Sequence, residues 1–294
     1  MMGIFLGLTA GIFWGLADFA ARFSSRRVGA YRTLLYMQFV GLILMTIFLE
    51  ITGGITRGVA PGWRPWALAA FAGVLNTGSS LSLYYSFQIG SISIAAPISS
   101  SYPALTVALA LASGERVQPL RALGLAVTLA GVVLAAISFS PKPRESAVSA
   151  GPKRAHLAEG VSWAIASAIG FGVLFWFLGF HVVPLTGAAF SVWMIRLSTF
   201  LTLTIVAGPT HQALSVAFGS VWLLFLAVGA TDTIAFLAIN SAMRIGQISI
   251  VSVLASLYGA VTVLLSALFL REPIDRTQWV GICLIFTGIV LVSL

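Results

Sequence analysis

The chain is poor in charged residues, and this shortage excludes most classes of soluble protein. Only 8% of its 294 residues are Asp, Glu, Lys or Arg, whereas 59% are hydrophobic. Soluble domains carry about 25% charged residues, so too few charges remain here to cover a water-exposed surface. The same apolar excess excludes an intrinsically disordered chain. A mean hydropathy of +1.02 indicates a lipid environment instead.

Cysteine is almost absent, and no cluster of metal-binding residues stands out. The one cysteine, Cys283, excludes a disulfide framework and a cysteine-based metal site. The three histidines have no spacing that is typical of a metal site. We therefore expect no metal and no cofactor, and no catalytic residues of the Ser–His–Asp type, since no nucleophile-elbow motif occurs.

Positive charge exceeds negative charge, with 16 Lys and Arg against 8 Asp and Glu. A basic balance often indicates nucleic-acid binding. Here the cations are scattered between apolar runs and form no basic helix or lysine-rich tract, so no nucleic-acid partner is expected. Arginine-containing loops that face a cytoplasm and anionic lipids explain the excess.

Ten apolar runs are long enough to cross a bilayer as helices, each of which needs about 20 residues. They predict an all-α integral membrane protein with ten transmembrane helices, located in the cytoplasmic (inner) membrane. No room remains for a separate soluble domain. The runs are 3–21, 31–51, 66–87, 91–112, 118–138, 158–179, 187–208, 219–243, 247–270 and 276–293.

The second half of the chain repeats the first. With a shift of 156 residues, 66–107 aligns with 222–263 without a gap, and fifteen of the 42 pairs are identical. A shift of 157 aligns the first run of each half. Shared apolar composition would not place glycines and a tyrosine in one register. Identical pairs include Trp66/Trp222, Gly73/Gly229, Gly90/Gly246 and Tyr102/Tyr258, with Gly15/Gly172 at the longer shift.

Each half holds five runs, so the predicted organisation is a first repeat over 1–139, a linker over 140–156 and a second repeat over 157–294. Because five is odd, the second half enters the membrane from the opposite side, which makes the two five-helix repeats inverted. Inverted halves can exchange conformations and open a central site first to one side and then to the other. This feature indicates a secondary transporter that works by alternating access.

The stretches that carry the repeat also resemble a known family. They include IGSISIAAPISSSYPALTVALALASGE at 89–115 and GLAVTLAGVVL at 124–134, with weaker copies in the second half, and FWG at 13–15. They resemble the drug/metabolite transporter superfamily, specifically its EamA type with two five-helix halves. The resemblance implies transport of small metabolites, often export of amino acids or toxic compounds.

The second copy departs from this pattern at two positions. Val253 and Gly259 stand where the first half has Pro97 and Pro103. Two prolines six residues apart remove backbone donors and open a helix. The fourth run is therefore expected to be interrupted, whereas the kinking of the ninth run stays open.

Polar and aromatic residues inside the runs are the candidates for substrate contact, because such polar groups usually face the bundle interior or a cavity. We expect a site near the midplane between the halves, lined by runs 1, 3, 4, 6, 8 and 9. Helix packing explains the serines equally well, and an interfacial belt explains the tryptophans. The candidates are Trp14, Asp18, Asn76, Ser80, Tyr84, Ser99, Tyr102, Trp163, Trp193, Ser256 and Tyr258.

Two intramembrane charges complete the candidate set. Arg196 in run 7 has Gln38 as its approximate repeat mate, and Asp232 in run 8 has Asn76. A lone buried charge costs several kcal/mol, so Arg196 and Asp232 are predicted to pair. The pair either locks two helices together or serves substrate, binding the charged ends of a zwitterion or carrying a proton. Asp232 is the candidate for proton coupling.

The orientation of the chain is open between two alternatives. Ten helices place both termini on one side of the membrane. Lys and Arg number ten in the odd-numbered loops and five in the even-numbered loops, so the positive-inside rule predicts both termini outside. Resemblance to the family instead implies both termini inside.

Two other function classes stay open beside transport. An intramembrane enzyme needs convergent catalytic groups, and Asp18 and Asp232 are the only deep acids. A receptor or an assembly subunit has no need of an inverted repeat. The expected partners are a small-molecule substrate and the lipid bilayer, with protons as a candidate coupling ion. A monomer suffices, because both repeats lie in one chain.

Overall fold

The structure is a computed structural model that describes residues 1–54, 62–136, 160–271 and 276–293, and every regular element in this part is helical. Thirteen α-helices and one π-helical turn follow one another along these residues. Their bounds are α1 Met2–Val28, α2 Ala30–Thr52, α3 Arg64–Ile89, α4 Ile92–Ser99, α5 Pro103–Ala112, α6 Pro119–Ala136, α7 Val161–Phe177, the π turn Leu178–Val182, α8 Val183–Thr186, α9 Ala188–Ala207, α10 Val221–Ile245, α11 Ile248–Ala255, α12 Tyr258–Leu270 and α13 Arg276–Ser293.

These helices make up ten spans, because three spans consist of more than one piece. Span 4 is α4 with α5, span 6 is α7 with the π turn and α8, and span 9 is α11 with α12. Seven spans are long and apolar enough to cross a membrane, and α6 and α13 contain shorter apolar stretches. Helix α3 has 26 residues, but its many hydroxyl and amide side chains make it more polar. The fold is that of an all-α membrane protein with two five-span halves.

Two spans are longer than the apolar runs predict. Helix α1 continues to Val28 rather than ending at 21, because its polar end packs against the end of α3. There Arg26 donates hydrogen bonds to the carbonyls of Phe87 (3.2 Å) and Gly90 (2.8 Å). Span 6 continues past 179 through the π turn to Thr186, and Pro184, which has no N–H to donate, follows that turn. The predicted linker 140–156 lies outside the described residues.

Spans 4 and 9 are both interrupted at the same place in the repeat. In span 4 the break follows Pro97, and the Ser100 hydroxyl donates to the Pro97 carbonyl at 2.9 Å. In span 9 the repeat mate Ser256 donates to the Val253 carbonyl at 2.7 Å. The second break therefore forms without proline, which answers the question that Val253 left open. The serine hydroxyls repair the helix ends, as serines in membrane helices commonly do.

The two halves pack around a pseudo-two-fold axis. Helix α1 packs mainly along α10, and their repeat mates α7 and α3 pack along each other in the same way. Helix α2 packs against its mate α9, and α6 against its mate α13. The broken spans cross, with α4 against α12 and α5 against α11. This arrangement brings spans 1, 3, 4, 6, 8 and 9 to the centre.

Small residues permit the closest of these contacts. A Cβ added at Gly131 of α6 would lie 2.7 Å from the carbonyl oxygen of Gly281 and from the amide nitrogen of Ile285, both in α13. A Cβ at Gly259 would overlap the side chain of Ser100, which directly follows α4. Glycine at these positions lets helix backbones approach directly, which is typical of packing between membrane helices.

Candidate functional site

A central cavity lies between the two halves. The six spans that the repeat predicts for a central site all contribute to its wall. Most of the wall is aromatic, and two carboxylic acids and one serine interrupt it. The lining residues are Trp14, Asp18, Ser80, Leu83, Tyr84, Tyr102, Phe171, Phe175, Asp232, Phe236 and Tyr258.

The two halves contribute equivalent spans to the wall, but the side chains at equivalent positions differ in polarity and charge. Trp14 of α1 has Phe171 of α7 as its repeat mate, and Asp18 has Phe175. Asp232 of α10 has Asn76 of α3, which forms no part of the wall. Both acids of the cavity therefore lie on α1 and α10, the two helices that pack along each other, whereas α7, the repeat mate of α1, contributes Phe171 and Phe175.

Arg196 and Asp232 form the predicted ion pair. The guanidinium Nη2 of Arg196 lies 2.5 Å from Oδ2 of Asp232, and both side chains are buried. Nη1 of Arg196 donates to Oε1 of Gln38 at 2.8 Å, so the two repeat mates bond to each other. Trp14 donates its indole N–H to Oδ1 of Asp232 at 2.8 Å. The pair thereby ties α1, α2, α9 and α10 together.

Asp18 differs from Asp232 in its surroundings. It is 5% exposed, and its Oδ2 is buried without a hydrogen-bond partner. Within the described ranges, it makes neither a hydrogen bond nor an ion pair. A buried carboxylate normally requires such partners. Asp18 is thus an acid of the cavity wall with a buried oxygen that has no partner.

Two tyrosines at the starts of α5 and α12 connect the halves. Tyr102 donates to the carbonyl of Ser252 at 3.0 Å, and Tyr258 donates to the hydroxyl of Ser99 at 2.9 Å. Ser99 also hydrogen-bonds to Ser167 of α7 at 3.2 Å. Ser99 therefore supports the site through Tyr258 and does not line the cavity.

Ser80 and Tyr84 place one face of α3 in the wall, at the spacing of one helical turn. The Tyr84 hydroxyl donates to Sδ of Met37 at 2.9 Å. Because that bond turns the hydroxyl toward α2, the ring rather than the oxygen is available to a bound molecule.

Four candidate residues lie away from the cavity, for identifiable reasons. The Asn76 amide donates to Thr199 of α9 at 3.1 Å, and Ser256 bonds within its own helix. Trp193 donates to Thr46 of α2 at 2.9 Å. Trp163 is 44% exposed and packs its edge on Tyr85 with ring centroids 5.0 Å apart. These four side chains hold helices together or cover the outer surface.

Three phenylalanines of the wall were not among the candidates predicted from the sequence. Phe171 and Phe175 of α7 and Phe236 of α10 looked like ordinary apolar residues of a membrane helix. The repeat register contained the signal, since they are the mates of Trp14, Asp18 and Ser80. Among the described residues, no group of His, Cys, Asp and Glu could hold a metal ion.

Comparison with known proteins gives consistent results. The sequence model of the EamA-like transporter family matches twice, over residues 1–137 and 158–294. An uncharacterized protein of Methanocaldococcus jannaschii, MJ1333.1, is 30% identical over 136 residues, which are 46% of this chain and 96% of that relative. The alignment thus spans about one repeat. A crystal structure of another protein can be superposed on 99% of this chain, and the match includes 96% of that protein's chain. The TM-score is 0.72 and the sequence identity is 20%, which shows a shared fold.

Proposed function

The chain belongs to the EamA-like transporter family, and from this premise we propose that it moves small metabolites across the cytoplasmic membrane by alternating access. The family is one of membrane transporters of small molecules and not of enzymes. Amino acids and related amphipathic compounds are the first candidate substrates, and export is the proposed direction.

The observation that carries the proposal is the central cavity, to which three spans of each half contribute. Spans 1, 3 and 4 face their mates 6, 8 and 9 across it. If the halves exchange conformations, a molecule in the cavity becomes accessible from the other side without crossing lipid. Both halves lie in one chain, so a monomer is sufficient for this exchange.

The wall of the cavity suits a small amphipathic molecule. Aromatic rings offer apolar contact area, and the carboxylate of Asp18 fixes an orientation. Catalysis of a covalent step has no support in this wall, because it lacks a nucleophile placed beside a general base.

Coupling to protons is a further part of the proposal, with Asp232 as the carrier. A proton on Asp232 removes the charge that holds Arg196 and so ends their ion pair. Because the pair ties α9 and α10 to α1, its loss changes the contact between the halves. This is the kind of two-state contact on which a coupling ion can act.

Counterflow in proteoliposomes tests the transport proposal directly. Liposomes loaded with one unlabelled candidate should take up the same labelled compound transiently, for at least one member of a panel of amino acids, nucleosides and organic amines. Protein-free liposomes are the control. Absence of counterflow across the whole panel, with folded protein in the membrane, contradicts the proposal.

Cysteine labelling locates the site independently of the substrate panel. In a Cys283→Ser background, which removes the exposed native cysteine, Ser80→Cys should react with a small thiol reagent, and substrate should protect it. Ser82→Cys is the matched control, because this serine lies on the same helix outside the cavity wall. Equal protection of both positions contradicts a site at the cavity.

A further inference from the structure

The acid at position 18 is placed where a bound ligand could supply the missing partner. Asp18 lines the central cavity, is 5% exposed and leaves Oδ2 buried without a hydrogen bond. A carboxylate in a membrane interior is expensive and is retained at functional positions. Asp232, the second acid of the wall, lines the same cavity. Arg196 compensates Asp232, so Asp18 is left as the uncompensated acid.

Aromatic rings surround the same space. Trp14 lies with its ring centroid 5.3 Å from Phe175 and 5.3 Å from Phe236, and 6.3 Å from Tyr258. Tyr102 lies 5.0 Å from Phe175. The faces of such rings attract cations, most strongly in a site without water. Rings beside an unpaired carboxylate form a site for a positive centre with an apolar body.

The cavity offers no matching site for a negative group. The guanidinium of Arg196, which pairs with Asp232 of the wall, is engaged by Asp232 and Gln38. Its central carbon also lies 5.0 Å above the ring of Phe236. No Lys, Arg or His occurs among the lining residues. A zwitterion would therefore bring a carboxylate into a cavity that already holds two acids.

We propose that the central cavity recognises a small organic cation, a protonated or quaternary amine without a carboxylate, through Asp18 and the surrounding aromatic rings. The inference rests on the proposed transport function, and within its amphipathic compounds it favours amines that lack a carboxylate over amino acids. Asp18 faces the positive centre, and the rings of Trp14, Phe175 and Tyr258 enclose the apolar part. The Arg196–Asp232 pair shapes the wall without binding the ligand's charge.

Two pairs of probes separate charge from shape. Benzyltrimethylammonium carries a permanent positive charge, and neopentylbenzene is its neutral counterpart. 2-Phenylethylamine is phenylalanine without the carboxylate. Calorimetric titration of the full chain in detergent should show binding of both amines, with neopentylbenzene and phenylalanine at least tenfold weaker.

Variants at the acid and at one ring complete the test. Asp18→Asn should weaken binding of benzyltrimethylammonium at least tenfold, and Asp18→Glu should retain most of it. Phe175→Leu should weaken it about threefold or more through loss of one ring face. Thermal unfolding of each variant confirms that it is folded, and Phe175→Leu keeps the test decisive if Asp18→Asn does not fold.

The outcome distinguishes this inference from the transport proposal. If folded wild-type protein binds phenylalanine but not benzyltrimethylammonium, or if Asp18→Asn binds the cation as tightly as the wild type, the cation site is refuted. Counterflow of any compound in the panel then still supports transport. Loss of all counterflow, by contrast, refutes the transporter itself.

Discussion

The rings of Tyr102 and Tyr258 lie nearly parallel, with centroids 6.3 Å apart and an interplanar angle of 13°. The two residues are repeat mates, and each stands at the start of the second piece of a broken span. Each hydroxyl reaches into the opposite half, Tyr102 to Ser252 and Tyr258 to Ser99. The pair therefore joins the two broken spans at the cavity, and any relative movement of the halves must change these contacts.

Removal of either tyrosine hydroxyl should loosen this junction. Tyr102→Phe and Tyr258→Phe keep the stacked rings and each remove one buried hydrogen bond between the halves. We expect each to lower the free energy of unfolding by about 1 kcal/mol, measured by denaturation in detergent. Tyr85→Phe is the matched control, because Tyr85 is 39% exposed and lies on the outer surface. An equal loss in the control contradicts a special role for the pair.

Close packing of α6 against α13 should not tolerate a methyl group. Gly131→Ala places a Cβ 2.7 Å from backbone atoms of α13, which cannot move aside as a side chain can. We expect a loss of about 1–3 kcal/mol in the free energy of unfolding. Gly78→Ala is the matched control in α3, since no atom lies within 4 Å of its added Cβ. That variant should be neutral or more stable by up to about 1 kcal/mol.

The two-half architecture could be predicted because it depends on one-dimensional properties of the sequence. The length of an apolar run and the register of a repeat can be read from the sequence without knowing which helices contact each other in the fold. Gly90 and Gly246, at the turns after spans 3 and 8, are such a repeated pair, and their register can be read from the sequence alone. Even the six spans around the cavity follow from the symmetry axis.

The composition of the cavity wall could be predicted only in part. An intramembrane acid such as Asp18 stands out in an apolar run, whereas Phe171 does not, because lipid and cavity both accept a phenylalanine. Trp163 and Trp193 stood out in the same way and lie elsewhere, since a tryptophan also suits an outer surface. The break in span 9, at Ser256, could not be predicted from a proline, because the second half has none at that place. The close packing of α12 against α4 at Gly259 depends on tertiary contacts, which the sequence alone does not reveal.

Asp232 and Arg196 should depend on each other for stability. Asp232→Asn leaves a buried guanidinium without its counter-ion, and we expect a loss of about 3–5 kcal/mol. Arg196→Met in the same chain removes the stranded charge and should recover most of that loss. The free energies of unfolding of both single variants and of the double variant form a double-mutant cycle. Additive losses contradict direct pairing.

The same double variant separates the proton-carrying role of Asp232 from its structural role. Arg196→Met with Asp232→Asn has no titratable group at the pair, and Asn76 already occupies the equivalent position in the first half. We expect the variant to retain counterflow of substrate and to lose accumulation driven by a pH gradient, because no proton can be exchanged at position 232. Both are measured in the same proteoliposomes.

A second acid provides the control for this experiment. Glu50→Gln removes an exposed carboxylate at the end of α2, far along the helix from Gln38. The response of this variant to a pH gradient should equal that of the wild type. If the double variant is folded and still accumulates substrate in proportion to the gradient, protons are not carried by Asp232. In that case the ion pair with Arg196 serves only to hold α9 and α10 together, and any coupling must use another group of the cavity wall.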